Sequence, residues 1–415
     1  MSLKRQAIIN TAGLILSLFV DWLIMMIIPI LSGYELAGHY SYAYSISTIF
    51  AIIQAYSLRN YQVITGFGEI EEKKYFGAQF YTCVIGYTAA VIFLLVSEAT
   101  TERMILIPVL MIMQTVTYLC CPMYASLQMV NRLDIPGKSG IYGGVIKILG
   151  FGIGYFLTKD SIIAVIVMVL SSSVFFLAYV CYAYRKITGR KIQVDFHLDR
   201  FSWMIIKDCT PITLSTILPI IIGNMPKFYL DSLCGTKELG YYTTLTSVTQ
   251  VVPSVIMGLS APTLNLLANI YRENRIAELR KKARRILIII GVCGAAGCCA
   301  LMVPGHFFYK FVYGEELMPF IKVFYISTFA MLFLGIGNYI ITILMLFRKN
   351  YMEMGISAVI LGLSFFVVRY FITKMSTIGA ALSLLILYFV FCILNLLTVV
   401  YLFNKKEKGA ETVRS

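Results

Sequence analysis

The sequence predicts an all-α integral membrane protein of about twelve transmembrane helices in two six-helix halves, and three observations predict it. First, 59% of its 415 residues are hydrophobic, only 13% are charged, and the mean hydropathy is +0.80. Those values lie far outside the range of soluble globular domains. Second, apolar runs between short polar breaks reach the ~20 residues that a spanning helix needs. Third, the loops between those runs alternate in charge.

The first run lies in MSLKRQAIINTAGLILSLFVDWLIMMIIPIL. Its basic start resembles a signal peptide, but the apolar part is too long and no small-residue cleavage site follows, so it reads as the first spanning helix. The runs place helices near 8-31, 37-58, 76-96, 104-128, 140-158 and 161-184, then 209-231, 239-265, 286-304, 318-347, 351-373 and 376-403. The halves are read as an N-lobe over 1-195, a C-lobe over 196-403 and a cytoplasmic tail over 404-415.

Basic residues outnumber acidic ones 35 to 21. One set of alternate loops collects Lys4, Arg5, Arg132, Arg185, the cluster Arg272 to Arg285 and the tail Lys405 to Arg414. The other set holds only Arg103, Lys159, Lys237, Lys310, Lys322 and Lys374. By the positive-inside rule both termini are cytoplasmic. Nucleic acid is excluded as a partner, because no soluble basic domain exists to carry it. The longest basic loops, YRKITGRKIQVDFHLDRF and YRENRIAELRKKARR, are read as topology signals with an interfacial amphipathic helix, or as contacts with anionic membrane lipid.

An internal repeat supports the division into halves. ELAGHYSYAYSISTI aligns with ELGYYTTLTSVTQ once one residue is allowed for, setting Gly38 on Gly240, Tyr40 on Tyr242 and Ser45 on Ser247. Both copies open the second helix of a six-helix half, as in transporters built from parallel repeats.

Four charges stand inside predicted spans: Asp21, Lys147, Lys227 and Arg369. Each costs ~2.5 to 3.5 kcal/mol at a helix centre, so such residues usually face a wet cavity or snorkel to the interface. Asp21 lies about 20 Å along the first helix at ~1.5 Å per residue. A carboxylate is too short to snorkel from there, which leaves a cavity-facing role, including coupling to a cation, or a structural hydrogen bond. Lys147 lies about 10 Å into the fifth helix, where Gly140 with Gly144 and Gly150 with Gly154 have the GxxxG spacing of closely packed helices. It faces a cavity or snorkels.

Lys227 follows Asn224 and Pro226 in a helix that also contains Pro211 and Pro219. Each proline deletes a backbone donor, and broken helices are tolerated at membrane depth only where protein or water satisfies them. That tilts Lys227 toward a cavity rather than the outer surface. Arg369, near Lys374, reads as an interfacial anchor or a cavity residue. Arg59, in SLRNYQV, is a cytoplasmic flank or a cavity-mouth residue.

Enzyme chemistry has no visible constellation. His39, His197 and His306 are scattered near loops, and no metal cluster, cofactor motif or phosphate-binding glycine loop is present. The ten cysteines include no CxxC and read as structural thiols. Transport would have to draw on ion gradients or partners.

The stretch NMPKFYLDSLCGTKELGYYTTLTSV, running on through PSVIMGLSAPTLNLLANIYREN, resembles the seventh and eighth helices of bacterial polysaccharide-exporter flippases, and SLRNYQV is similar to the same family. These belong to the multidrug/oligosaccharidyl-lipid/polysaccharide exporter superfamily. The resemblance implies two six-helix lobes around a central cationic cavity, alternating between inward-facing and outward-facing states in the bacterial plasma membrane. It implies a polyprenyl-diphosphate-linked oligosaccharide as cargo, bound by Lys227 and Asn224 with Lys147, Arg59 and Arg369. The depth and short side chain of Asp21 point to coupling with a proton or sodium ion, and a polysaccharide polymerase is expected as a partner. The family pattern carries arginine where this chain has Lys227; lysine keeps the charge but loses the bidentate fork suited to phosphate.

The alternative is a cation-coupled multidrug or small-molecule exporter of the same superfamily, in which Asp21 would serve export and cavity lysines would be unnecessary. A membrane glycan polymerase would call for a long external loop, and an acyltransferase for a histidine within a span. Neither feature is visible.

Overall fold

The computed structural model describes residues 3–65, 69–97, 99–197, 199–273, 275–347 and 349–412. Arg414, counted above with the basic tail, lies outside them. The described residues are almost wholly helical and contain no strand. In order they form α1 (Leu3–Ala55), α2 (Leu58–Thr65), α3 (Glu69–Val96), α4 (Thr101–Leu119), α5 (Cys121–Met129), α6 (Asp134–Thr158) and α7 (Ser161–Thr188). There follow α8 (Arg200–Cys234), α9 (Thr236–Ser247), α10 (Val251–Arg272), α11 (Ile276–Tyr313), α12 (Ile321–Leu346) and α13 (Asn350–Thr412), with 3-10 turns at Val248–Gln250 and Gly314–Phe320.

Three of the eight long apolar stretches are too long for one crossing. At ~1.5 Å per residue, the 53 residues of α1 would span roughly 80 Å, against a hydrocarbon core of about 30 Å. Gly33 breaks α1 between the two predicted spans, and Ser376 breaks α13 in the same way. The turn Gly314–Phe320 divides α11 from α12. The segment α9–α10 adds a further crossing, interrupted where Pro253 cannot donate to the Thr249 carbonyl. There Ser247 and Thr249 hydroxyls turn back onto the carbonyls of Thr244 and Thr246, at 2.8 and 2.6 Å. Counted this way, the described residues are consistent with the twelve crossings that the sequence predicts.

Helix ends run beyond the hydropathy limits. IAELRKKARR is not a separate interfacial helix but the first turns of α11, because Ile276, Leu279 and Ala283 continue its buried stripe. Residues 190–197 are not helical at all. They are strapped along the start of α3: Asp195 N donates to Lys73 O at 3.1 Å and the Tyr81 hydroxyl to Phe196 O at 2.8 Å. The Phe196 ring sits edge-on to Phe80 at 5.3 Å. A Cβ on Gly77 would lie 1.9 Å from Asp195 O, so only glycine lets the strap lie this close.

The chain divides into two compact units, Met1–Ile217 and Leu218–Ser415. The division falls inside α8 rather than in the loop at residue 195. Ile205 and Cys209 of α8 pack into a cluster with Leu58, Tyr75 and Ala78, which draws the first half of α8 into unit 1. Tyr61 donates to Asp208 at 2.6 Å, and the Tyr56 hydroxyl pairs with Thr210 at 2.8 Å. The core of unit 2 gathers Ile256, Leu279, Ile290, Tyr339, Ile343 and Phe403.

Within each unit the basic loops gather at one end. In unit 1, Gln6 accepts from Leu133 N at 3.2 Å, while Ser32 and Ser161 meet at the other end at 2.6 Å. In unit 2, Lys406 at the end of α13 donates to Tyr271 at the end of α10, at 2.8 Å.

The repeat is written into the backbone as well. Gly33 (φ 80°, ψ 173°) and Gly235 (φ 96°, ψ 164°) stand at the same separation as Gly38 and Gly240, and each begins the second helix of its half. Tyr40 and Tyr242 are both buried, at 4% and 1% exposure. The conformation at Gly33 and Gly235 is essentially reserved for glycine, and a side chain there costs of order 1–3 kcal/mol. Gly33→Ala and Gly235→Ala should each lower the unfolding temperature in detergent. Gly152→Ala, in an open helical position, should leave it unchanged or raise it.

Candidate functional site

In unit 1 the site begins with glycines. A Cβ on Gly13 would lie 2.1 Å from Gly137 O, one on Gly137 would lie 2.4 Å from Ile9 O, and one on Gly140 would lie 2.7 Å from Gly13 O. The absence of side chains therefore lets α1 and α6 touch backbone to backbone, running in the same direction. About two turns further along each helix stand Asp21 and Lys147. They meet as an ion pair, Nζ to Oδ1 2.7 Å, with side-chain exposures of 24% for Asp21 and 6% for Lys147. The Asp21 carboxylate also acts electrostatically on the phenols of Tyr40 and Tyr44, whose rings stack at 6.2 Å. Two charges that the sequence flagged separately thus form one buried polar cluster.

Arg59 lies in a different setting. On α2 its Nη2 donates to Gln128 Oε1 at 3.2 Å, and its guanidinium sits 5.5 Å from the centre of the Tyr124 ring. A third cluster was not foreseen at all. Glu72 is 3% exposed and takes hydrogen bonds from Ser126 and, at 2.9 Å, from Tyr184. Arg190 completes it at 2.7 Å. All these partners satisfy the carboxylate, which is the condition for burying it. Its only trace in the sequence is the acidic start of EIEEKKYFGAQF, which carries no sign of partners so distant in the chain. Nearby, Lys74 pairs with Asp199 and, with the Ser202 backbone N–H, holds that loop carboxyl down at about 2.

In unit 2, Lys227 is half-buried on α8, directly after Pro226. The Asn224 amide donates to Ile220 O at 2.9 Å, so its nitrogen is turned back along its own helix. One turn before Lys227, and so on the same face, a Cβ on Gly223 would lie 2.8 Å from the Tyr388 hydroxyl. Tyr388 is buried, as is Tyr242, the repeat counterpart of Tyr40. Arg369 is exposed on α13 beside the exposed rings of Phe366 and Tyr370, the setting of an interfacial anchor, and forms no ion pair among the described residues. No group of three metal-ligating side chains gathers among the described residues.

No protein-family model matches the chain. A capsular polysaccharide biosynthesis protein of Staphylococcus aureus, CapF, is 23% identical over 378 residues, which is 91% of this chain and 94% of that protein. Among solved structures, an inward-facing multidrug resistance MATE family transporter of the MOP superfamily superposes with a TM-score of 0.74 at 13% identity, over 98% of this chain and 99% of that one. The lipid II flippase MurJ, in an inward closed conformation, superposes with a TM-score of 0.72 at 16% identity, over 96% of this chain and 90% of that one. The chain is thus a multi-pass membrane protein with the fold of the multidrug/oligosaccharidyl-lipid/polysaccharide exporter superfamily.

Proposed function

We propose that the chain is a flippase that carries a polyprenyl-diphosphate-linked oligosaccharide from the inner to the outer leaflet of the bacterial plasma membrane by alternating access, with both termini cytoplasmic. The polymer served would be a capsule, exopolysaccharide or O-antigen-type glycan. The observation that carries the reading is the buried Lys147–Asp21 pair in the middle of unit 1. The similarity to a capsular polysaccharide biosynthesis protein along nearly the whole chain supports the cargo class.

A diphosphate crossing the bilayer must replace its lost hydration, and fixed cations supply part of it. Lys147 in unit 1 and Lys227 in unit 2 each offer one such cation, with Arg59 toward the basic end of unit 1. A diphosphate competes with Asp21 for Lys147. Once displaced, the Asp21 carboxylate needs a proton or a sodium ion in place of the lysine, which ties arrival of cargo to uptake of a cation. Tyr40 and Tyr44 offer hydroxyls to the same exchange.

The test is flipping of a lipid-linked glycan in proteoliposomes. Loss of one charge-assisted hydrogen bond, ~1.5–3 kcal/mol, should make Lys227→Gln slower by roughly tenfold to a hundredfold at unchanged expression. Lys227→Arg should keep most activity, since charge matters before fork geometry. Parental flipping by Lys227→Gln would assign Lys227 to anchoring instead. A second reading, a cation-coupled multidrug exporter, is favoured by the superposition on a multidrug transporter and by the partly exposed Asp21. Gradient-driven efflux of cationic drugs without glycan flipping would select it.

A further inference from the structure

We propose that one face of α11, formed by Lys281, Arg284 and Arg285, binds the headgroup of an anionic phospholipid at the cytoplasmic leaflet. Helical periodicity sorts the start of α11 into three faces. Ile276, Leu279 and Ala283 are buried in the unit 2 core. A second face is neutralised internally: Arg275 pairs with Glu273 at 2.7 Å and Glu278 at 3.0 Å, and Lys282 pairs with Glu278 at 2.9 Å. Those two glutamates are the only acids between residues 273 and 290.

The third face is left cationic. Lys281, Arg284 and Arg285 are exposed and have no acidic partner among the described residues. With Arg280 they line a shallow groove of about 490 Å³ that continues onto Ile288 and Ile289, 55% and 51% exposed. Beyond Arg285 the helix is uninterruptedly apolar as far as Val303. The groove therefore sits where the helix enters the hydrocarbon.

Lys281, Arg284 and Arg285 lie within two turns and repel one another, and an anion placed among them relieves that repulsion. Guanidinium forks match the two free oxygens of a phosphodiester. The isoleucine strip directly beyond them suits the first methylenes of an acyl chain, which free phosphate and nucleic acid lack. This assignment stands whether the transported cargo is a glycan lipid or a drug.

The test uses the full chain in nanodiscs, with the unfolding temperature followed as phosphatidylglycerol replaces phosphatidylcholine. The parent should be stabilised by phosphatidylglycerol, and less so as salt is raised. The variant K281Q/R284Q/R285Q should lose most of that stabilisation at every phosphatidylglycerol fraction. R275Q/K282Q, on the ion-paired face, should respond like the parent. An unaltered response in the triple variant would overturn the proposal. So would equal protection by inorganic phosphate, which would make the ligand a free anion, or equal loss in R275Q/K282Q, which would make the effect one of bulk charge. Should the triple variant fail to fold, a salt-independent response of the parent would also overturn it.

Discussion

Lys147→Met is expected to destabilise the protein by about 3 kcal/mol, the lower end of the range for a broken buried pair, because it leaves the half-buried Asp21 carboxylate with no counter-ion. Asp21→Asn should cost a similar amount by stranding the ammonium group, whose side chain is the more buried of the two. The double variant should recover most of the loss, since the two desolvated charges then disappear together. Chemical denaturation in detergent gives the three values, and a double-mutant cycle extracts the coupling. Transport separates folding from function. The double variant should be stable yet impaired in flipping, and its residual flux should no longer respond to proton or sodium gradients. A double variant whose loss equals the sum of the two single losses would show that the two charges are not energetically coupled.

Gly13→Ala should be the most damaging conservative change at the crossing of α1 and α6. Its methyl group would lie 2.1 Å from the Gly137 carbonyl oxygen, and that atom belongs to backbone that cannot swing aside. Overpacking of this kind typically costs about 1–3 kcal/mol. Moving α1 from α6 would also stretch the Asp21–Lys147 contact two turns away, so the total should exceed that range. Gly144→Ala provides the contrast, because its methyl would meet the Val20 side chain at 3.3 Å and Leu16 at ordinary contact distances of 3.7 and 3.8 Å. Unfolding temperatures should fall markedly for the first and little for the second. Combined with the neutral pair Asp21→Asn/Lys147→Met, Gly13→Ala should cost less than it does alone, since no ion pair remains to be stretched. Simple additivity would show that the crossing and the pair are independent.

Much of this arrangement was legible in the sequence, for a physical reason. A bilayer tests every residue of a span against the same apolar solvent, so hydropathy reads the crossings directly. Even the breaks at Gly33 and Ser376 fall where the apolar runs pause. Helix ends were less legible because they lie in water and are set by packing: α11 starts at Ile276 because Leu279 and Ala283 are covered by the core. The GxxxG spacing pointed to α6, but Gly13, the residue in closest approach, carries no spacing signal on α1. Likewise Asp21 and Lys147 each stood out by cost, while their pairing spans 126 positions and depends on that crossing. Glu72 and Arg190 were hidden because each, taken alone, looks like an ordinary charge at a membrane border.

The reach of α8 into unit 1 bears on how the protein is made. Leu58 and Tyr75 are 0% and 1% exposed with Ile205 and Cys209 packed over them. A ribosome that has released the first six crossings and the strap has not yet supplied those two residues. The N-terminal half therefore waits, with an apolar notch beside α2 still open to lipid or to the insertion machinery, until the opening turns of α8 arrive. Completion of the first half is in this way tied to synthesis of the second, and a nascent chain arrested between them would be left with an unfinished surface rather than a finished domain.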